Sequence, residues 1–126
     1  LSIYLTSVDK DETNKALSEI PNQGFQNRWA FVHKSSKDYL NGVQDATFDI
    51  VYIDGSHLYD DVYGDLFQGW RVLKPGGLMF IDDFTHKANK TGEYGVSVAC
   101  WEFFKEHQNS IEKIWTTSRL LLFKKG

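Results

Sequence analysis

The stretch Phe48-Asp49-Ile50-Val51-Tyr52-Ile53-Asp54-Gly55-Ser56-His57 decides the fold of this chain. Its first six residues form a nearly continuous apolar run, which is typical of a strand buried on both faces of a parallel sheet. The four residues that follow, from Asp54 to His57, are typical of a loop. We therefore expect this strand to lie centrally in a sheet and to end in a loop that begins with an acid.

A helix pattern begins directly after this loop. Apolar residues recur at intervals of three and four along one helical face, at Leu58, Val62, Leu66, Trp70 and Leu73. Such a stripe predicts an amphipathic helix packed on the sheet. Pro75 ends the helix pattern, and the paired glycines Gly76 and Gly77 permit a left-handed turn into a second strand, Leu78–Ile81. Chirality favours a right-handed crossover between these two parallel strands.

The same alternation extends in both directions along the sequence. Upstream, residues 2–8 and 28–33 read as strands. The first of these strands precedes a helix pattern with Ala16, Leu17 and Ile20, and the second precedes a short helix that Ser35 or Ser36 would cap. Downstream, a helix pattern with Val96, Cys100 and Phe103 precedes two strands, 111–117 and 119–123, that predict a β-hairpin. We therefore expect one α/β domain over residues 1–126, with a mostly parallel sheet and a C-terminal antiparallel hairpin.

Composition excludes several classes of protein. The 126 residues hold 14 Lys and Arg against 17 Asp and Glu, a net charge of −3, which is not the basic footprint of a nucleic-acid-binding protein. The single cysteine, Cys100, excludes an internal disulfide framework and favours a reducing, cytoplasmic location. No apolar run approaches the ~18 residues of a membrane span. We expect no nucleic-acid or membrane partner.

Acidic side chains follow three of the predicted strands. Asp9 ends the first, Asp54 follows Ile53, and Asp82 with Asp83 ends the strand after the crossover. Neighbouring strands lie ~5 Å apart, so the last three carboxylates are expected to converge. Such a cluster suits a hard divalent cation such as Mg²⁺. The alternative is structural: the carboxylates cap turns and accept backbone hydrogen bonds.

The histidines, the cysteine and the terminal lysines carry weaker signals. His57, three residues after Asp54, is either a general base or ligand, or simply the start of the helix. No convergent partners are visible in the sequence for His33, His86 and His107, and the last two are predicted at the surface. Cys100 falls on an apolar helix face, which favours a packing thiol over a nucleophile. Lys124 and Lys125 are predicted to form a solvated tail.

The chain resembles the class I S-adenosylmethionine-dependent methyltransferases. It is most similar to the small-molecule O-methyltransferases related to the macrocin and catechol enzymes. The resemblance rests on three motifs in order, FDIVYIDGSHLYDDV from Phe48, LKPGG from Leu73 and the strand end IDD at Ile81. A fourth element, Tyr94-Gly95-Val96 running into Trp101-Glu102-Phe103-Phe104, resembles a helix of the same branch. The resemblance as a whole covers nearly the whole chain.

The resemblance implies roles for particular residues. Asp9, Ser36 and Asp54 match positions that bind S-adenosylmethionine, and Asp54, Asp82 and Asp83 match the carboxylates that hold Mg²⁺ or another divalent cation. His57, together with Asp54, matches the catalytic loop. The implied reaction is metal-assisted methyl transfer to a small hydroxylated substrate, with His57 taking the hydroxyl proton.

The family's first strand and its glycine-rich loop have no counterpart in these residues, which contain no G-x-G pattern. The match begins at the family's second strand, so we expect a Rossmann-like methyltransferase sheet truncated before that strand. We expect such a piece of a longer domain to self-associate through an exposed sheet edge. Two alternatives remain: a non-catalytic remnant of this fold, and a phosphoacceptor signalling domain. The latter is disfavoured because its paired acids should precede the central one.

Overall fold

The computed structural model of this chain describes residues 5–9, 29–33, 35–85 and 95–126. These residues belong to two compact units, residues 1–42 and residues 43–126. The predicted helix around Ala16, Leu17 and Ile20 lies outside the described residues, as does most of the predicted loop that follows Thr85, including His86. Each unit is described below by itself.

The first unit contains a parallel pair of strands and a short helix. Strand β1 (Leu5–Asp9) pairs in parallel with β2 (Trp29–His33), and Asp9 lies opposite His33 at the carboxyl ends of both strands. Helix α1 (Ser36–Asn41) follows. The Ser35 hydroxyl accepts a hydrogen bond from the backbone N–H of Asp38 at 3.1 Å, which satisfies a donor of the first helical turn. Of the two serines proposed as the cap, Ser35 is therefore the N-cap of α1.

The second unit contains a four-stranded mixed sheet in the order β3-β4-β6-β5. Strand β3 (Phe48–Ile53) pairs in parallel with β4 (Leu73–Ile81). Strands β5 (Ile111–Thr116) and β6 (Leu121–Lys125) form the predicted antiparallel hairpin, and β6 pairs antiparallel with β4. The α/β class and the hairpin are thereby confirmed. Strand β6 lies between β4 and β5, and β5 is an edge strand of this sheet.

Two helices pack on this sheet, α2 (Tyr59–Val72) and α3 (Gly95–His107). A short 3-10 turn, Gln108–Ser110, links α3 to β5. The α2 stripe predicted from the sequence is confirmed at Val62, Leu66 and Trp70, which are buried. Leu58 instead precedes the helix and is 56% exposed, and Leu73 is buried as the first residue of β4. The Trp70 ring meets the rings of Phe103 and Phe123 edge to face, which joins α2, α3 and β6 in one apolar core.

The turn between α2 and the paired part of β4 depends on its glycines. The register moves from Phe48 opposite Leu73 to Ile50 opposite Leu78, so β4 carries three extra residues at this point. Gly76 has a φ of +81°, the left-handed conformation predicted for this turn. A Cβ atom on Gly77 would lie 2.6 Å from Cδ1 of Leu73 and 2.8 Å from the carbonyl oxygen of Lys74. Neither position accepts a side chain without strain.

Lys125 corrects the prediction of a solvated tail. Its ammonium group donates hydrogen bonds to the carbonyl oxygens of Trp70 and Leu73, each at 2.7 Å. It also lies 5.6 Å from the centroid of the Trp70 ring. These carbonyls belong to the last turn of α2 and the residue after it, where a positive charge complements the helix dipole. Lys125 therefore caps α2 from β6.

Cys100 is a packing residue, as predicted. Its side chain is 3% exposed in α3, and burial raises the pKa of the thiol to about 12. His107 is only partly exposed, because its ring stacks on Phe103 with the centroids 4.1 Å apart. Within the described residues, no helix is long and apolar enough to cross a membrane.

Candidate functional site

The candidate site lies at the carboxyl ends of the parallel strands β3 and β4. Ile53 and Ile81 are register partners, and the backbone N–H of Asp82 donates to the carbonyl oxygen of Ile53 at 2.9 Å. Asp54 and Asp82 therefore follow equivalent positions on adjacent strands, as the sequence predicted. In open α/β sheets this edge is where ligands bind.

Asp82 is the most deeply buried acid of this site, with 9% of the residue exposed. Its Oδ1 accepts hydrogen bonds from Nε of Arg119 and from the backbone N–H of Asp83, both at 2.7 Å. Its Oδ2 accepts from the Tyr52 hydroxyl at 2.6 Å and from Nη2 of Arg119 at 3.3 Å. A carboxylate offers about four lone-pair positions, and all of them are engaged here.

These contacts change the acidity of the groups involved. The hydrogen bonds from Tyr52 and then Arg119 lower the pKa of Asp82. The same hydrogen bond to Asp82 raises the pKa of Tyr52 to about 12. Asp82 is therefore an ionised acceptor and Tyr52 a neutral donor at physiological pH.

Asp83 lies between the guanidinium group of Arg119 and the imidazole ring of His57. Its Oδ1 lies 3.1 Å from Nε of Arg119, and its Oδ2 lies 3.4 Å from Nε2 of His57. Asp83 has a φ of 55°, a left-handed conformation that aspartate tolerates better than most residues. The loop after β3 and the strand end of β4 thus place His57 beside a carboxylate.

Asp54 is the third acid of the group, and it is exposed. Partial desolvation of its carboxyl group raises its pKa, and the negative charges of Asp82 and Asp83 raise it further. The structure therefore brings together Asp54, Asp82 and Asp83, as the strand-end argument predicted, and it places His57 beside Asp83. The negative charge of the three carboxylates exceeds the positive charge of Arg119, so the site attracts positively charged groups.

Arg119 and Tyr52 are the site residues that sequence reasoning missed. Arg119 lies 37 residues from Asp82 along the chain, in the turn between β5 and β6. Two hydrogen bonds hold this turn beside the end of β4: the Phe84 N–H donates to the Arg119 carbonyl at 3.3 Å, and the Thr85 hydroxyl donates to the Ser118 carbonyl at 3.2 Å. No local pattern signals this contact, because it depends on the hairpin docking against β4.

Two other residues proposed from the resemblance lie in the first unit. Asp9 is the last residue of β1, and Ser36 is the first residue of α1. An acid at a strand end and a hydroxyl at a helix start suit the hydroxyl and amino groups of a nucleoside. Asp9 and Ser36 are therefore of the right chemistry for the role expected of them.

Comparison with protein families identifies the chain. A model described as a methyltransferase domain matches residues 2–84, about two thirds of the sequence. The chain belongs to this methyltransferase domain family. The match includes Asp9, Ser36, Asp54, His57 and both strand-end acids of β4, and it confirms the resemblance drawn from the motifs. The methyltransferase domain has no match among curated proteins.

Solved structures share the fold of this methyltransferase domain. A protein from Corynebacterium glutamicum has a TM-score of 0.71 and 19% identity over 98% of this chain and 61% of its own. The MycE methyltransferase of the mycinamycin biosynthetic pathway, solved with Mg, SAH and mycinamycin VI, has a TM-score of 0.69 and 17% identity over 98% and 36%. The SAH-bound Podospora anserina methyltransferase PaMTH1 has a TM-score of 0.67 and 14% identity over 98% and 61%.

These similarities confirm a Rossmann-like methyltransferase fold. The methyltransferase domain spans 36–61% of the length of the solved chains named above.

The divalent cation that the resemblance implies does not fit the carboxylates as they stand. Asp82 has no open lone pair, because Arg119, Tyr52 and the Asp83 N–H take its oxygens. Within the described residues, no three His, Cys, Asp or Glu side chains are arranged to hold a metal ion. Arg119 supplies positive charge to Asp82 and Asp83 where a cation was expected.

Proposed function

We propose that this methyltransferase domain takes part in the transfer of a methyl group from S-adenosylmethionine to a hydroxyl group of a small molecule. The single observation that carries the proposal is the pairing of His57 with Asp83 at the strand ends, in a chain of a methyltransferase family. Family membership also favours methyl transfer over the phosphoacceptor alternative.

His57 is the proposed general base. An imidazole can accept a proton near neutral pH, and the Asp83 carboxylate lies 3.4 Å from Nε2, where it orients the ring. The pair is partly exposed, so a substrate hydroxyl has access to the ring. Removing that proton makes the substrate oxygen a better nucleophile.

Asp9, Ser36 and Asp54 are the proposed cofactor-binding residues. S-adenosylmethionine supplies an electrophilic methyl group when it is bound. The carboxylates of Asp9 and Asp54 would accept hydrogen bonds from ribose hydroxyls and from the α-amino group, and the Ser36 hydroxyl would bind near the adenine.

A metal-assisted form of the reaction would use Asp54, Asp82 and Asp83 as ligands. The guanidinium of Arg119 occupies the Asp82 oxygens that such an ion would need. The proposal of methyl transfer does not depend on such an ion.

A ligand-binding measurement tests the cofactor part of the proposal. S-adenosylhomocysteine at about 100 times its Kd should add ~2.7 kcal/mol to the free energy of unfolding and raise Tm by several degrees. Asp9→Asn and Asp54→Asn should each reduce this shift. Asp49→Asn is the matched control, because Asp49 is an exposed β3 acid paired only weakly with Lys74. No shift in the native chain would contradict cofactor binding and favour the non-catalytic remnant.

A kinetic measurement tests the role of His57. With catechol as acceptor and a labelled methyl donor, His57→Ala should lower kcat by about 10²–10⁴ while the S-adenosylhomocysteine shift is retained. His107→Ala, which changes a histidine of α3, should leave kcat near the native value. Equal rates in the native chain and His57→Ala would eliminate His57 as the base.

A further inference from the structure

A pocket of about 280 Å³, the α3–hairpin pocket, lies between helix α3 and strands β5 and β6. Two register pairs of the hairpin line it, Ile114 opposite Phe123 and Thr116 opposite Leu121. Alternate residues of a strand point to the same face of a sheet, so these four side chains share one face. Phe123 stacks on Phe103 of α3 with the ring centroids 5.9 Å apart, which identifies this as the face on which α3 packs.

Aromatic rings form much of the remaining wall. From α3, the rings of Trp101 and Phe104 line the pocket with their centroids 5.8 Å apart, and the buried side chain of Cys100 lines it beside them. Phe84, from the segment after β4, also contributes. Trp101 is 59% exposed, so a large apolar surface beside the pocket faces water. Exposed apolar surface next to a concavity is typical of a ligand site.

The walls of the α3–hairpin pocket are held in place by contacts within the chain. The Phe84 N–H donates to the Arg119 carbonyl at 3.3 Å, and the Thr85 hydroxyl donates to the Ser118 carbonyl at 3.2 Å. These bonds hold the segment after β4 against the turn between β5 and β6. A pocket fixed in this way needs little ordering when a ligand binds, so more of the contact energy contributes to affinity.

Two hydroxyl groups are the polar features of this lining. Ser97 belongs to α3 and Thr116 to β5, so the hydroxyls come from different walls. The Thr116 hydroxyl donates to the Thr117 carbonyl at 3.0 Å, which leaves its oxygen able to accept a hydrogen bond. None of the described residues that line the pocket carries a formal charge. Such a lining suits a neutral aromatic ligand and opposes a charged one, which would lose its hydration there.

We propose that the α3–hairpin pocket binds a small, uncharged aromatic molecule that carries a hydroxyl group. The ring packs between the aromatic side chains of α3 and the hairpin, and the ligand hydroxyl donates to the Thr116 oxygen. One or two fused rings match the volume, because pockets for drug-sized ligands begin at about 300 Å³. The pocket shares no lining residue with the proposed cofactor-binding residues or with His57, so ligand binding here is independent of methyl transfer.

A titration of the native chain with 2-naphthol tests the location of binding. Methyl resonances of Ile114 and Leu121 should shift in step, because an aromatic ring alters the magnetic environment of methyl groups beside it. The Ile50 methyl resonances, from β3, are the internal control and should stay in place, since Ile50 does not line the pocket. We expect a Kd of roughly 0.1–1 mM, the range for a ligand of this size.

A pocket-filling substitution tests the same site. Ser97→Phe adds an aromatic side chain to the α3 wall and should weaken 2-naphthol binding at least about tenfold. Val98→Phe is the matched control and should keep the native Kd, because Val98 is the next residue of α3, is 47% exposed and does not line the pocket. Thr116→Val, which removes the hydroxyl at nearly constant shape, should weaken binding about fivefold.

The titration of the native chain decides the matter if Ser97→Phe does not fold. Unchanged Ile114 and Leu121 resonances at millimolar 2-naphthol would overturn the proposal. So would Ile50 shifts of equal size, which would indicate unspecific adhesion to apolar surface, and so would a folded Ser97→Phe with the native Kd. Native affinity in Thr116→Val would overturn the assignment of the hydroxyl contact.

Discussion

Ala46 and Asp83 are the two residues other than glycine that have a positive φ within the described parts of the chain. At Asp83 the conformation serves the site, because it turns the carboxylate between Arg119 and His57. At Ala46, with a φ of 51°, the same left-handed conformation carries the steric cost of a Cβ atom. The Ala46 N–H donates to the Arg71 carbonyl at 3.1 Å, which fixes the conformation.

Ala46→Gly should therefore increase stability. Relief of the left-handed strain is worth about 1–2 kcal/mol, and the greater freedom of glycine in the unfolded chain offsets roughly 0.5–1 kcal/mol of it. We expect a net gain of about 0.5 kcal/mol, measured by urea denaturation. Ala99→Gly, in the buried face of α3, is the control and should lose stability. A loss in both variants would contradict the strain argument.

The contacts of Arg119 and Lys125 could not be predicted from the sequence around each residue. Both are cations whose partners are more than 30 residues away along the chain: carboxylates for Arg119, backbone carbonyls for Lys125. A strand-end acid can be recognised from the strand that precedes it, which is why Asp54 and Asp82 were found. A lysine that binds carbonyl oxygens has no partner residue type to search for, so Lys125 was predicted wrongly as solvated.

At the scale of elements, α2 and the turn after it were the most predictable part of the molecule. The apolar stripe from Val62 to Trp70 has the periodicity of a helix, and Leu78–Ile81 was predicted correctly as a strand, although β4 already begins at Leu73. The bulge in β4 was not predicted, because its extra residues depend on how Leu73 pairs with Phe48.

Gly64 and Gly77 allow a matched test of this region. A Cβ atom on Gly77 would clash with Leu73 and with the Lys74 carbonyl, whereas one on Gly64, in α2, meets no atom within 4 Å. Gly77→Ala should lower the free energy of unfolding by about 1–3 kcal/mol, and Gly64→Ala should raise it by about 0.5–1 kcal/mol. Thermal unfolding of both variants checks the pair. Equal effects of the same sign would refute the packing described here.

The cap on α2 provides a second element-scale test. Lys125→Met keeps most of the aliphatic stem but loses two hydrogen bonds to carbonyls of Trp70 and Leu73, so we expect a loss of about 1.5–3 kcal/mol. Lys124→Met loses only a contact with Glu112 at 3.2 Å between partly exposed side chains and should cost about 1 kcal/mol or less. Urea denaturation distinguishes the two. A larger loss in Lys124→Met would contradict the capping role.

At the scale of the whole molecule, β3 is an edge of the four-stranded sheet within the described strands, although its sequence is that of a central strand. Ile50 and Tyr52 on this strand are 59% and 55% exposed. An edge of this kind is a template for pairing with another chain. The predicted self-association therefore has a specific location.

Ile50→Lys tests this location, because a charged residue on an edge strand opposes pairing. Sedimentation velocity of the native chain should show concentration-dependent association, and Ile50→Lys should shift it towards the monomer. Val98→Lys, on an exposed position of α3 that is 47% accessible, is the control and should behave as the native chain. A native chain that remains monomeric at all concentrations would contradict the prediction.

The place of β6 inside the sheet also governs the order in which the molecule can assemble on the ribosome. β5 is synthesised before β6, yet β6 lies between β4 and β5 and supplies the pairing of β5 among the described strands. A nascent chain that has released β5 but not β6 therefore holds a strand with no template. The sheet of the described strands is therefore completed by a late segment that enters between two strands made before it.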